Sequence, residues 1–207
     1  MTYSSIAIPS TFPPASRPIY LYPTAPMSRK NESTSIPLIT TAIEKILTLQ
    51  KGRTLIHTVS YDLTRYLNTH LSIPRSLYSY TTSADKERAI SLYLGDPDGV
   101  LLAPSLDRGI DLPEDHCRHI IVPKIPFPNL GDKQISARLH SPGGSLWYAV
   151  KTIRTLVQMT GRGMRSEDDQ CNSYILDQAF VDNIWARSKH LLPTWWREAL
   201  VWDAGRL

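Results

Sequence analysis

The chain has 207 residues, of which 42% are hydrophobic and 20% are charged. This balance is ordinary for a protein with a packed core, and it excludes the low-hydrophobicity, high-charge signature of a disordered chain. Two cysteines are too few for a disulfide framework or a four-cysteine metal site, and no stretch approaches the ~20 apolar residues that span a membrane. The net charge of +4 is compatible with a polyanionic partner without identifying one. We therefore expect one folded domain in a reducing, intracellular (cytoplasmic) compartment.

The N-terminal segment is rich in proline, with seven of the sixteen prolines among the first forty residues. Proline fixes φ and lacks a backbone donor, so it disfavours helix and favours extended structure. We predict that residues 1–35 form a lead-in that contains the first strand, at 17–22.

Helical and strand patterns alternate over residues 36–190, which predicts βαβ units around a parallel sheet. The predicted helices are 36–49, 62–71, 84–94, 145–158 and 178–190, and the predicted strands are 53–59, 77–81, 100–103, 118–122 and 174–176. The expected fold class is α/β, a three-layer domain whose central, mostly parallel sheet is flanked by helices. Residues 191–207 are expected to be a C-terminal extension that packs on this domain.

In such a sheet the loops at the carboxyl ends of the strands collect the chemistry. Three segments with unusual residues are expected at those ends: Ser60 with Tyr61, 105–113, and 161–165 after the long helix. A hydroxyl and an aromatic ring are types that bind a backbone phosphate or support a base by stacking. Ser60 could equally be the N-cap of the following helix, and the two roles are compatible.

Two arginines close the long predicted helix in the stretch from Gln158 to Arg165. At helical spacing Arg162 and Arg165 stand one turn apart and share a face. Two guanidiniums on one face suit a phosphate, because their planar donor forks match its oxygens. The alternative is a solvated basic helix end that pairs with the acidic residues at 167–169.

The spacing of His116, Cys117 and His119 lacks a fourth ligand nearby, so we assign no metal site to this chain.

The pattern Gln-x-x-Gly-Arg-x-x-Arg at 158–165 resembles motif VI of superfamily 2 helicases. Further segments resemble the XPD/DinG branch of that superfamily in the expected order: 10–13 with 17–20, 54–61, 108–113 and 124–128. The resemblance covers nearly all of the chain, roughly 9–186. It implies a RecA-like fold and the role of a second, C-terminal motor domain in an ATP-dependent DNA helicase.

The resemblance implies that Arg162 and Arg165 reach across an interdomain cleft to the γ-phosphate of ATP, with Gln158 helping to place them. An arginine supplied in this way accelerates phosphoryl transfer by ~10³–10⁵. It also assigns Gly109, Asp111 and Gly161 to the nucleotide side of the cleft. A plain turn at a strand end is the alternative for Gly109 and Asp111.

The resemblance places Ser60 and Tyr61 on the track of single-stranded DNA. Arg108 stands where the branch often carries an acidic residue, so that residue's role is not transferred to it. Its guanidinium could bind a DNA phosphate or ATP, and we group Arg108 with the candidate DNA-binding residues.

The sequence contains no phosphate loop and no magnesium-binding box. By resemblance, ATP and Mg²⁺ would be held mainly by an N-terminal motor domain, in the same or a separate chain, and an iron-sulfur cluster is possible in the parent protein but not in this chain. We therefore expect a fragment or a separately encoded half, inactive alone and cytoplasmic or nucleoid-associated. The alternatives are a stand-alone nucleic-acid-binding or regulatory module without ATPase activity, and an RNA-directed helicase half.

Overall fold

Seven parallel strands form one sheet in the order β3-β4-β2-β5-β6-β1-β7. The structure, a computed structural model, describes residues 10–104, 112 and 114–202. The strands are β1 Ile19–Ala25, β2 Thr54–His57, β3 Leu77–Ser79, β4 Val100–Ala103, β5 His119–Val122, β6 Asn172–Asp177 and β7 Leu200–Val201. The predicted α/β fold with a parallel sheet is confirmed.

Helices connect the strands and cover both faces of the sheet. They are α1 Glu32–Leu49, α2 Tyr61–His70, α3 Ser83–Gly95, α4 Lys133–Leu139, α5 Gly144–Thr160, α6 Ala186–Ser188 and α7 Thr194–Arg197. Short 3-10 turns lie at Pro14–Ser16, Glu114–His116 and Lys189–Leu191, and a π-helical stretch, Phe180–Trp185, leads into α6. Within the described ranges, no helix is long and apolar enough to cross a membrane.

The central strands are buried on both faces, which is why they are short and almost wholly apolar. Because successive side chains point to opposite faces of a strand, Leu55 and Ile56 belong to different cores. The Leu55 core is closed mainly by residues of α3, α5 and the C-terminal helices. The Ile56 core is closed by residues of α1 and α2.

Strand β1 extends beyond its predicted end at residue 22 and lies between β6 and β7. Pro23 interrupts the sequence pattern, and the pairing with β6 changes register between Leu21 and Ala25, an irregularity that accommodates a residue without a backbone donor. The buried carboxylate of Asp177 accepts hydrogen bonds from the backbone N–H groups of Met27, Ile125 and Ala179 at 2.9–3.0 Å. Asp177 thus fastens the ends of β1 and β6 to the segment after β5.

Several predicted boundaries differ from the observed ones. Helix α1 begins at Glu32, four residues before the prediction, although Pro37 lies inside it. The predicted helix at 178–190 is a π-helical, α-helical and 3-10 succession, which a 3.6-residue period does not reveal. Elements α4, α7 and β7 are short and were not predicted, because two to seven residues carry too little periodicity.

Candidate functional site

Helix α5 carries the candidate arginine pair at its C-terminal end. Its inner face packs against the sheet through Ile153 and Leu156, which are 3% and 0% exposed. Near the end of the helix, buried Thr160 accepts a hydrogen bond from Trp196 Nε1 at 2.8 Å. This contact fixes the point from which the arginine-bearing segment leaves the helix.

The helix ends at Thr160, so Arg162 and Arg165 do not share a helical face as predicted. Gly161 closes the helix, and its N–H donates to the Val157 carbonyl at 3.2 Å. The two arginines follow in a turn, which still directs both side chains to one side of the domain. They line one cleft of about 840 Å³. The lining residues are Arg138, Trp147, Val150, Lys151, Arg154, Thr155, Gln158, Gly161, Arg162 and Arg165. The structure therefore brings together four of the candidate residues, Gln158, Gly161, Arg162 and Arg165.

The segment after Gly161 is held in place by two features. Asp169 is 2% exposed, and its Oδ2 accepts the backbone N–H groups of Arg165 at 2.6 Å and Ser166 at 2.7 Å. Gly163 fits between Cys117 and Cys171, where a Cβ would lie 2.5 Å from the Cys171 sulfur and 2.7 Å from the Cys117 carbonyl oxygen. The backbone that carries the arginines is therefore built into the domain.

The Arg165 side chain is exposed and contacts its own loop. Its Nη1 donates to the Met164 carbonyl at 3.0 Å and to the Gly161 carbonyl at 3.4 Å. The acidic residues at 167–168 are exposed, whereas Asp169 is directed at backbone N–H groups. A guanidinium bound to carbonyls of one short loop is oriented while remaining accessible.

The arginine segment lies at the edge where β5 and β6 begin, because its neighbours Cys117 and Cys171 directly precede those strands. The expectation that 161–165 lies at the carboxyl ends of the strands is therefore wrong. A helix that connects two parallel strands runs back across the sheet, so its own end returns to their starting edge. Ser60 and Tyr61 follow β2 at the carboxyl ends, and neither lines the cleft.

Ser60 is the N-cap of α2, since its Oγ accepts the Leu63 N–H at 3.2 Å. Val59 before it has φ of 64°, a left-handed backbone that a β-branched residue rarely adopts and that costs of order 1–3 kcal/mol. Tyr61, the first residue of α2, is 40% exposed. The cap is thus observed, and an exposed ring beside a strained turn remains available for the predicted contact with a base.

His57, at the carboxyl end of β2, was missed by the sequence reasoning. Its side chain is buried, and neither ring nitrogen makes a hydrogen bond of ordinary geometry among the described residues. The pKa of His57 is lowered to about 3, mainly by burial and also by the nearby charge of Arg162, whereas the Met159 carbonyl acts in the opposite direction. A neutral imidazole therefore lies beside the arginine segment. No sequence periodicity distinguishes such a histidine from an apolar strand residue.

The remaining candidates fall into two groups. Arg108, Gly109 and Asp111 lie outside the described residues. In the second group, the residues considered as metal ligands, His119 Nε2 lies 2.9 Å from the Lys51 carbonyl, and Cys117 Sγ donates to the His119 carbonyl at 3.6 Å. These contacts are structural, and the described residues contain no group of three ligands that could hold a metal ion.

Four charged or aromatic residues of the cleft were not singled out from the sequence: Arg138, Trp147, Lys151 and Arg154. Three of them, with Gln158, recur along α5 at intervals of four, three and four residues, a spacing that places them on one face. The polar stripe of this amphipathic helix therefore marks the residues that line the cleft. The apolar stripe, which predicts the helix, does not indicate them.

The all-parallel sheet with helices on both faces is a RecA-like α/β fold. Residues 43–199 match the family described as "Helicase C-terminal domain". The chain belongs to this family.

Two curated relatives and one solved structure agree with this family. The chain is 23% identical over 154 residues to the ATP-dependent DNA helicase XPD of Sulfolobus acidocaldarius, a match that covers 70% of this chain and 28% of the relative. It is 30% identical over 105 residues to the Fanconi anemia group J protein homolog of Gallus gallus, covering 44% of this chain and 8% of the relative. The structure of S. tokodaii Xpd4 superposes with a TM-score of 0.62 at 15% identity, covering 89% of this chain and 38% of that one.

The resemblance to the XPD/DinG branch is confirmed. At 15% identity, the likeness to the solved structure concerns the fold. The chain spans less than a third of the length of these two curated relatives.

Proposed function

We propose that this chain is the second motor domain of an ATP-dependent DNA helicase, and that Arg162 and Arg165 contact the γ-phosphate of ATP held by a first motor domain. One observation carries the proposal: Gln158, Gly161, Arg162 and Arg165 line the same cleft. Arginines aimed at a transferring phosphoryl group stabilise the charge that develops on it. ATP would draw the two domains together, and hydrolysis would separate them again.

The surroundings of the arginines support this role. Asp169 and Gly163 fix the backbone, so the guanidiniums need little ordering when the domains close. Arg165 is exposed, as a group that acts on a ligand of another domain has to be. Gln158, two residues before the end of α5, is also exposed and can bond a guanidinium or a phosphate oxygen.

Ser60 and Tyr61 would contact single-stranded DNA from the carboxyl ends of the strands. This arrangement separates the strand track from the nucleotide cleft, since the two groups lie at different edges of the sheet. Closure of the domains would then act on both sites through one rigid sheet. Arg108, Gly109 and Asp111 would belong to the loop that links them.

The test uses a protein that contains both motor domains, with Arg162→Ala and Arg165→Ala compared with Arg88→Ala, an exposed arginine of α3. We expect DNA-stimulated ATP turnover to fall by ~10³ or more in the first two variants and to be unchanged in the third. The melting temperature of the Arg165→Ala variant should stay close to that of the parent, because exposed polar contacts contribute only ~0–1 kcal/mol. A cleft variant that melts early yet turns over normally would show that its arginine is structural.

A further inference from the structure

We infer that the stretch of the cleft formed by Arg138, Lys151 and Arg154 is a second nucleic-acid site, which binds the phosphate backbone of a single strand along the outer face of α5. This site goes beyond the proposed function, which uses only the other end of the cleft. It also lies apart from Ser60 and Tyr61, which do not line the cleft.

The charge of the cleft is of one sign. Among the residues that the structure describes, its lining contains no carboxylate and five cations: Arg138, Lys151, Arg154, Arg162 and Arg165. Arg138, Lys151 and Arg154 are exposed, and among the residues that the structure describes none of the three forms an ion pair. Unneutralised cations in a concave surface create a positive potential that attracts a polyanion.

Trp147 organises the first part of the cleft. The Arg138 guanidinium lies 4.5 Å from the centre of the indole ring, and the Lys151 ammonium lies 5.3 Å from it. Each cation–π contact restrains a long, mobile side chain without neutralising its charge. Because α4 supplies Arg138 and α5 supplies Lys151, the indole also joins the two helices at this point. Two positive charges are therefore held ready for an anion.

The length of the cleft favours an extended polyanion. Lys151 and Arg162 are eleven residues apart, and most of this distance is helical, which corresponds to about 16 Å along the helix axis. A triphosphate presents its three phosphates over a short distance. A single strand presents a phosphate at each nucleotide and can occupy the whole length.

The chemistry of the lining favours nucleic acid over a protein partner. Protein interfaces have an apolar centre from which charged residues are depleted, whereas nucleic-acid interfaces are more polar and much more positive. Here the large apolar side chains are Trp147 and Val150 alone, and the faces of the Trp147 ring are engaged by cations. The cleft therefore suits phosphates rather than stacked bases or an apolar surface.

The test measures binding of a fluorescein-labelled oligothymidylate to this chain by fluorescence anisotropy over a series of salt concentrations. Lys151→Ala combined with Arg154→Ala should lower the affinity about tenfold at low salt. The slope of log K against log salt should become shallower by about 1.4, because each phosphate contact on a single strand contributes about 0.7. Lys151→Arg combined with Arg154→Lys keeps both charges and should retain the parental affinity and slope.

Lys86→Ala combined with Arg88→Ala removes the same charge from α3 and should leave both quantities unchanged. If this control weakens binding as much as the cleft variant, the effect is one of net charge and the proposal fails. It fails equally if the cleft variant binds like the parent.

Tripolyphosphate distinguishes a nucleotide from a strand as the source of the phosphates. We expect it to displace the oligonucleotide only at concentrations far above those of an unlabelled competitor strand. Tripolyphosphate that competes as well as the strand, with an effect lost in the cleft variant, would assign the site to nucleotide and overturn the proposal.

Tyr61→Ala separates this site from the strand track of the proposed function, since loss of the Tyr61 contact should leave the effect of the cleft variant in place.

Discussion

His57 is an unusual residue in the core, a titratable ring at the end of a central strand whose nitrogens make no hydrogen bond of ordinary geometry within the described ranges. Its pKa is lowered from 6.5 to about 3, mainly by burial. The ring is therefore neutral in the folded protein at pH values well above 3. Protonation would bring a second positive charge close to Arg162, which accounts for part of the shift.

His57 should make the fold sensitive to acid. Between pH 6.5 and pH 3 the unfolded state binds a proton that the folded state excludes, so the free energy of unfolding falls as the pH falls. One proton gives at most about 1.4 kcal/mol per pH unit. We expect His57→Leu to remove this component, so that the variant gains stability relative to the parent as the pH is lowered, as measured by urea unfolding at several pH values.

His190 is exposed and provides the matched substitution. His190→Leu should leave the pH dependence of the parent in place. A difference between His57→Leu and the parent that stayed constant from pH 7 to pH 4 would contradict the burial of a neutral ring.

Gly163 is required by space rather than by backbone conformation. A Cβ there would meet the Cys171 sulfur and the Cys117 carbonyl well inside contact distance, and the carbonyl belongs to the backbone. We expect Gly163→Ala to destabilise the domain by about 1–3 kcal/mol, the usual cost of overpacking. Because the same segment carries Arg162 and Arg165, turnover of the two-domain protein should fall as well.

Gly95 is the control for this change, since a Cβ at Gly95 meets nothing within 4 Å. Gly95→Ala, at the end of α3, should be neutral or stabilising by up to about 1 kcal/mol. Equal thermal stability of the Gly163 and Gly95 variants would show that the arginine segment can move away from Cys117 and Cys171.

At the scale of the element, the N-terminus of α2 combines a structural and a proposed binding role in one residue. Ser60→Ala removes the cap and should cost about 0.5–2 kcal/mol, whereas Ser60→Asp keeps an accepting oxygen at the cap and should preserve stability. An added negative charge repels phosphate, so Ser60→Asp should nevertheless weaken binding of single-stranded DNA. Thermal melting and anisotropy on the same preparations give both quantities. A Ser60→Asp variant that binds DNA like the parent would remove Ser60 from the strand track.

Helix α5 shows which structural features a hydrophobic pattern in the sequence can and cannot predict. Its apolar stripe predicted the helix to within two residues at each end, because burial of that stripe against the sheet is what stabilises it. The same period gave no sign that Arg162 and Arg165 would leave the helix, since Gly161 is as compatible with a helix end as with a short continuation. The partnership of Arg138 with Trp147 depends on how α4 packs against α5, and tertiary contacts of this kind have no local signal.

At the scale of the whole molecule, the sheet could be predicted because the sequences of buried parallel strands are short apolar runs between helical patterns. The strand order and the sides of the sheet were not predicted. Both depend on which face of the sheet each connection between strands crosses. The effect was largest for 161–165, which were predicted to lie at the wrong edge of the sheet. Strand β7 was not predicted, because its two residues, Leu200 and Val201, acquire strand geometry only by pairing with β1.

The inclusion of β1 in the sheet can be tested by truncating a side chain. Leu21 is 4% exposed, belongs to the Leu55 core and lies opposite Ile175 of β6. We expect Leu21→Ala to lower the free energy of unfolding by about 2–5 kcal/mol. Leu38→Ala, at a leucine of α1 that is 55% exposed, should change it by no more than about 0.5 kcal/mol. Urea unfolding of the two variants decides whether β1 is an integral strand or a peripheral one.

The position of β1 also has a consequence for biosynthesis. Of the seven strands that the structure describes, β1 is translated first, yet its two neighbours, β6 and β7, are translated last. The bond between Met27 and Asp177 joins groups 150 residues apart in the chain. A nascent β1 therefore emerges with both edges unpaired, and such edges promote misassociation until a partner arrives. Pro23 lies within this strand, and Pro18 and Pro26 flank it. Because proline cannot donate a backbone hydrogen bond to a neighbouring strand, these residues disfavour incorrect pairing of β1 before β6 and β7 are made.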